Sequence, residues 1–238
     1  MRLLLLGYGK MGQLIDKMAT AKGHDIVARI NVDNQQELET LDTSAIDAAI
    51  DFSQPAAAVS NIKWCIDHGI PVAVGTTGWL DQKSSLDAYC QKKGGTYLYS
   101  SNFSIGVNIF FKVNAFLAKL MNNQTDYAVS MKEIHHTQKL DAPSGTAITL
   151  AEGIIEHLNR KDSWVNDQAA EPNELLISSE RVDPTPGTHA VTYHSPIDAI
   201  DIKHTAHGRE GFASGAILVA EWIASQQGVL TMDDFLSL

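Results

Sequence analysis

The run Leu3-Leu4-Leu5-Leu6, followed at once by Gly7-Tyr8-Gly9-Lys10-Met11-Gly12, constrains the fold more than any other part of the chain. Four consecutive leucines suit a strand buried on both faces, and an amphipathic segment through Lys22 follows the glycines. Strand, glycine turn and helix in this order form a pyrophosphate-binding unit. The first Gly permits the tight turn, the second lets phosphate reach the backbone, and the third lets helix pack on strand. A second apolar strand, Ile26 to Ile30, ends in Asn31-Val32-Asp33. An acidic residue here holds an adenosine ribose, so Asp33 is the expected partner, with Asn31 a weaker one.

Strands and helices keep alternating to about residue 104. Ile46 to Phe52 reads as a buried strand before a helix that Pro55 can start, and Pro71-Val72-Ala73-Val74 leads into Gly75-Thr76-Thr77-Gly78. A helix through Lys93, the strand Tyr97-Leu98-Tyr99 and the loop Ser100-Ser101-Asn102-Phe103-Ser104 complete the series. This spacing predicts an α/β fold with an N-terminal Rossmann-type, doubly wound parallel sheet. Each loop alone reads as a simple turn, but three at the carboxyl edge of one sheet favour a dinucleotide rim.

After residue 104 the rhythm changes. A helix from Ile105 to Met121 precedes a strand carrying His135 and His136, a capped helix, and strands at Leu175 to Ser178, His189 to Tyr193 and Ala199 to Ile202. A second, α+β domain for substrate binding and oligomerisation is expected, with Lys161 to Asn173 as a polar surface loop. Phe212 to Ile223 is apolar enough for a packed helix that returns to the first domain. The expected boundaries are 1–104 with 210–238 for the dinucleotide-binding domain, and 105–209 for the other.

The stretch from Glu133 to Ala147 concentrates the polar chemistry of the second domain. His135, His136 and Lys139 offer two imidazoles and an amine, groups suited to proton transfer and anion binding. Pro143-Ser144-Gly145-Thr146 opens an apolar pattern at helical spacing, so Ser144 reads as an N-cap and the Gly145 and Thr146 amides fall in the first turn. Those amides and the helix dipole favour a carboxylate or phosphate. Taken singly, either His is as well explained as a packed core residue, and the Pro-Ser-Gly-Thr run as an ordinary cap. No metal site is expected, because no Cys or carboxylate stands at a usual zinc-ligand spacing and Glu133 precedes His135 by only two residues.

Composition narrows the classes. A net charge of −10 argues against a nucleic-acid partner, and 44% hydrophobic residues suffice for a sizeable core. Cys65 and Cys90 have no CxxC partner and read as reduced core thiols. The leucine run breaks at Gly7, too soon for a signal-peptide core, and no later segment is apolar enough to span a membrane. A cytoplasmic enzyme with no membrane partner is expected.

Several segments together carry a resemblance. Gly7 to Gly12, Asp51-Phe52-Ser53 with Pro55, Gly75 to Gly78, Asn102 to Asn108, His135-His136-x-x-Lys139-x-Asp141-Ala142-Pro143-Ser144-Gly145-Thr146, Gly187-x-His189, and His204-x-Ala206 with Arg209 and Phe212 to Ala216 occur in order. The chain resembles the dihydrodipicolinate reductase family over nearly its whole length. The resemblance implies that His135 donates and accepts a proton, Lys139 donates one, and His136 contacts substrate. Ser144, Gly145 and Thr146 would bind a carboxylate of a small cyclic dicarboxylate. Gly7, Tyr8, Gly9, Lys10, Met11 and Gly12, with Gly75, Thr76, Thr77, Ser100, Ser101, Asn102 and Phe103, would hold NADH or NADPH, and the assembly would be a homotetramer. The implied reaction belongs to lysine and diaminopimelate biosynthesis. The glycine loop is one residue shorter than in many members, and Val32 stands where members that accept NADPH place an Arg. Asp33 would repel a 2′-phosphate and Lys10 would offset it, so the cofactor choice stays open. A dehydrogenase of another small carboxylic acid and a non-catalytic dinucleotide sensor are the rival readings.

Overall fold

In a strand, side chains alternate between faces, so β1 (Arg2–Leu6) needs cover on both sides. Leu3 and Leu5 meet Ile15 and Ala19 of α1 (Lys10–Ala21) and Ala213, Ala216 and Ile217 of α6 (Glu210–Ile223). Leu4 and Leu6 face Ala58, Ile62 and Ile66 of α2 (Pro55–Asp67) and Leu86 of α3 (Lys83–Lys93). All four leucines are buried, each contributing about 2 kcal/mol over an exposed position.

The computed structural model describes residues 1–168 and 170–237. Ala169, inside the expected loop 161–173, and Leu238, at the end of the expected first domain, lie outside them. The chain falls into two compact units, Met1–Ile105 with the chain from Glu210 onward, and Gly106–Arg209.

In the first unit, β2 (Asp25–Ile30), β3 (Ala48–Asp51), β4 (Val72–Val74), β5 (Thr96–Tyr99) and β11 (Gly228–Leu230) join β1 in a parallel sheet of order β11-β5-β4-β3-β1-β2. The chain leaves β1 toward β2 and returns on the other side as β3, so the crevice at the carboxyl ends of β1 and β3 is the ligand position of a doubly wound sheet. The expected Rossmann-type architecture is what forms. The strand β11 and the short helix α7 (Met232–Leu236), capped by Thr231, go beyond the sequence reading. So does a 3₁₀ segment, Val32–Thr40, where a polar turn is expected.

In the second unit, α4 (Ile105–Met121) and α5 (Gly145–Ile155) cover one face of a mixed sheet of order β10-β9-β6-β8-β7. Its strands are β6 (Ala128–His135), β7 (Ser163–Asn166), β8 (Glu174–Arg181), β9 (Gly187–His194) and β10 (Ala199–Ala206). The expected loop from Lys161 to Asn173 is corrected here: β7 lies within it and pairs parallel with β8. Its four residues alternate too weakly to announce an edge strand. On β6 the alternation is regular, with Val129, Met131, Glu133 and His135 buried. Glu133 and His189 pair directly across the antiparallel β6–β9 ladder.

Candidate functional site

At the carboxyl ends of β1, β2 and β3 lies a cavity of about 400 Å³, lined by Gly7 to Gly9, Ile30 to Val32, Gln35, Phe52 to Gln54 and residues of the first turns of α2. Backbone shapes it. Gly7 has φ +90°, and a Cβ there would meet the Phe52 carbonyl oxygen at 2.2 Å. A Cβ on Gly12 would lie 2.1 Å from the Gly7 carbonyl oxygen, so the third glycine permits α1 to close on the turn. The Tyr8 hydroxyl donates to Asp16 at 2.5 Å, and Arg29 grips the same carboxylate through Nε at 2.6 Å and a second nitrogen at 3.0 Å. These bonds hold the Tyr8 ring beside the turn, and the Asp16 interaction raises the Tyr8 pKa.

A buried carboxylate braces this edge of the sheet. Asp51, at the end of β3, accepts from the Ser53 amide at 2.9 Å, the Ser53 hydroxyl at 2.7 Å, the Thr76 hydroxyl at 2.6 Å and Asn61 Nδ2 at 3.0 Å. Four donors satisfy one carboxylate and tie the loops after β3 and β4 together.

Of the residues expected to meet a dinucleotide, Gly7, Tyr8, Gly9 and Asn31 line this cavity, and Asp33 does not. Val32 and Gln35 stand on that side instead, because the backbone enters a 3₁₀ turn after Asn31. The Asn31 amide donates to Asn34 Oδ1 at 2.7 Å, which sets the turn. Lys10 and Met11 begin α1, and Gly12 packs beneath the turn. Gly75, Thr76 and Thr77 follow β4, and Ser100 to Phe103 follow β5, on the same carboxyl edge of the sheet. Thr76 is spent on Asp51. Phe103 is 1% exposed and packs on Phe52 with ring centroids 5.8 Å apart, so its side chain is core. Ser100 and Asn102 bond one another locally.

In the second unit β6 ends at His135, so His136 lies just beyond the strand that was expected to carry both histidines. His135 is buried, and His136 is half-buried in the loop beyond it. Ser144 caps α5 as expected, its Oγ accepting from the Ala147 amide at 3.2 Å. The helix itself provides no carbonyl for the Gly145 and Thr146 amides, which head its first turn. Arg181 donates to the Lys139 carbonyl at 3.3 Å and the Asp141 carbonyl at 2.6 Å, and Asp183 accepts from the Thr137 amide and hydroxyl. The loop carrying Lys139 is thereby pinned to β8 and the turn after it. Lys139 Nζ meets both oxygens of Asp141 at 2.8 and 2.7 Å, which lowers the Asp141 pKa.

Glu133, wholly buried, organises the centre. It accepts from the Ser144 amide at 3.0 Å, the Ser179 hydroxyl at 2.8 Å and Arg181 at 3.2 Å. Its Oε2 stands 3.5 Å from His135 Nε2 and 3.6 Å from His189 Nε2. Burial pushes this carboxyl up, but the two imidazoles, Ser144 and Ser179 outweigh it and hold Glu133 well below the usual carboxylate range. Burial pushes His189 down. His189 Nε2 is 3.0 Å from Ser144 Oγ and 3.4 Å from His135 Nε2. The start of α5, expected to bind an anion, is thus linked through His189 to the imidazole expected to move a proton. Ser179, Arg181 and His189 were not expected in the site, and Glu133, though it heads the polar stretch, was given no role there. The Gly187-x-His189 motif pointed to His189, and the β6–β9 register makes the connection.

Models of the two halves of one family match nearly the entire chain: dihydrodipicolinate reductase, N-terminus, over residues 1–103, and dihydrodipicolinate reductase, C-terminus, over residues 106–236. The chain belongs to the dihydrodipicolinate reductase family. It is an oxidoreductase. A 4-hydroxy-tetrahydrodipicolinate reductase of Christiangramia forsetii is 48% identical over 237 residues, covering 100% of this chain and 98% of the relative. That of Methanosarcina acetivorans is 36% identical over 214 residues, 88% of this chain and 80% of the relative. Among solved structures, a dipicolinate-bound dihydrodipicolinate reductase from Paenisporosarcina sp. TG-14 superposes with a TM-score of 0.80 at 21% identity, covering 97% of each chain, and shares the fold.

Proposed function

We propose that this reductase converts 4-hydroxy-tetrahydrodipicolinate to tetrahydrodipicolinate with NADH or NADPH, a step in lysine and diaminopimelate biosynthesis. The observation that carries the reading is the contact chain Ser144 Oγ, His189 Nε2, His135 Nε2, which sets an anion-binding helix start against a buried imidazole. The bound nicotinamide supplies a hydride. The protein's residues do the rest: the Gly145 and Thr146 amides bind a ring carboxylate, His136 contacts the substrate, and Lys139 and His135 deliver the proton to the carbon adjacent to the one that receives hydride. Water is lost from the 4-hydroxy substrate, and hydride with proton saturates one double bond.

The residues at the glycine turn fit a dinucleotide: Gly7 and Gly12 let the backbone close into the turn, and the place a Cβ would take at Gly9 is open, so a phosphate can approach the backbone there. The cavity lining holds no charged side chain, neither a cation to select a 2′-phosphate nor a carboxylate to reject it. Use of both NADH and NADPH is therefore expected. Self-association as a homotetramer is supported by the mixed sheet, whose second face bears the exposed Ala128, Ser130 and Lys132 of β6 and, in register with them, the exposed Ala199, Asp201 and Lys203 of β10. A cytoplasmic setting agrees with two buried, unpaired cysteines.

Loss of nicotinamide absorbance on mixing the protein with freshly made substrate tests this directly. Both cofactors are expected to be consumed, with kcat/KM values within about tenfold of each other, a difference of about 1.4 kcal/mol. No consumption of either would favour the dinucleotide-sensing alternative.

A further inference from the structure

We infer that Glu133, His135 and His189 form a binding site for a divalent transition ion of the zinc class. Three Lewis-basic atoms converge: His135 Nε2, His189 Nε2 and Glu133 Oε2, with separations of 3.4, 3.5 and 3.6 Å. These spans exceed the ordinary N–H···O range of about 2.7–3.2 Å. They match the edge of a zinc tetrahedron, whose centre would lie about 2.1 Å from each of the three atoms, within the usual range of Zn–N and Zn–O bonds. All three side chains are buried, which is uncommon for two imidazoles and a carboxylate without a purpose.

The outer contacts are those that orient metal ligands. His135 Nδ1 lies 3.1 Å from the Pro186 carbonyl, an acceptor only, so Nδ1 carries the proton and Nε2 presents its lone pair to the cluster. The Glu133 oxygen on the far side, Oε1, is held by Ser179 and Arg181, while Oε2 turns inward and keeps a second lone pair beside the one that accepts from the Ser144 amide at 3.0 Å; an ion would take the place of Ser144 Oγ as the partner of His189 Nε2. Two His and one Glu leave a fourth position of the tetrahedron open, the donor set of an ion that also takes water or a ligand oxygen. Spacing along the chain hides this set, because His189 joins it only through the pairing of β9 with β6.

An ion seated here occupies the His135 lone pair. If His135 transfers the proton, as proposed above, the metal-bound form is inactive, so the site makes the enzyme sensitive to zinc.

The test uses chelator-treated protein dialysed against Zn²⁺, with Co²⁺ as an optical probe of geometry and no substrate present. One tightly held ion per chain and an intense tetrahedral Co²⁺ spectrum are expected. His189→Ala and Glu133→Gln, with circular dichroism unchanged, should weaken binding by more than about 100-fold, exceeding the usual effect of losing an outer-shell partner. No stoichiometric ion in the wild type, or full retention in both folded variants, would overturn the inference. Should neither variant fold, imidazole NMR of the wild type decides: Zn²⁺ must shift the Nε2 resonances of two histidines, and unmoved resonances would overturn it. In a separate arm Zn²⁺ should abolish turnover at the same occupancy, reversibly with chelator. Binding without inhibition would uphold the metal site and refute the role of His135.

Discussion

The backbone N–H of Ser144 donates to the buried Glu133 carboxylate at 3.0 Å, linking the start of α5 to the middle of β6. The same serine caps α5 through Oγ and touches His189, so one residue fixes the helix start that is proposed to bind a substrate carboxylate. Ser144→Ala keeps the amide bond to Glu133 and removes the cap. A loss of about 1 kcal/mol in denaturant unfolding is expected, together with a raised substrate KM, and an unchanged KM would break the link between cap and cradle.

Thr76 joins the loops after β3 and β4 by donating to Asp51 at 2.6 Å and accepting from the Ser53 amide at 2.8 Å. Thr76→Val strips both, at a cost of about 1–3 kcal/mol, and Thr76→Ser should restore most of it. Thermal unfolding of the two variants checks this; equal losses would mean that the methyl group matters as much as the hydroxyl.

Gly12→Ala places a Cβ where the Gly7 carbonyl oxygen stands 2.1 Å away, and backbone cannot yield cheaply. The turn must open. Fluorescence titration should show NADH affinity reduced at least about tenfold, or 1.4 kcal/mol. Wild-type affinity would show that the glycine turn does not contact the cofactor.

His189 is held below the ordinary imidazole pKa, first by burial; Glu133 opposes this, while His135 and Lys139 add to it. A depressed histidine favours the folded state fully above its unfolded pKa of about 6.5, and that stability is lost as pH falls below this value toward the folded pKa. The depressed Glu133 carboxyl contributes stability above its own unfolded value, near 4.5, and loses it only at lower pH. Between about pH 6.5 and 5, therefore, the melting temperature of wild type should fall more steeply than that of His189→Asn. Equal slopes would contradict the burial argument.

Much of this arrangement is legible along the chain because it is local. Leu3 to Gly12 announce a strand and a phosphate turn by pattern alone, and Ser144 announces a cap through the apolar helical pattern that starts at Ala147. Contacts between distant segments are illegible. Glu133 and His189 are brought together by register, Val32 and Gln35 reach the cavity through a 3₁₀ turn that no periodicity marks, and β7 and β11 are strands of four and three residues that rely on neighbours already in place. Asp33 illustrates the limit of motif reasoning. The motif names a place along the chain, but the turn after Asn31 decides which side chains line the cavity.

In the proposed reaction labour is divided, with the glycine turn holding the cofactor and the loop after β6 handling substrate and proton. Lys139→Ala tests it most directly when NADH affinity and substrate turnover are measured on the same sample. The account predicts kcat/KM for substrate reduced by about 10²–10⁴-fold, the usual worth of a general acid, with the NADH dissociation constant unchanged. Turnover at the wild-type rate would contradict it.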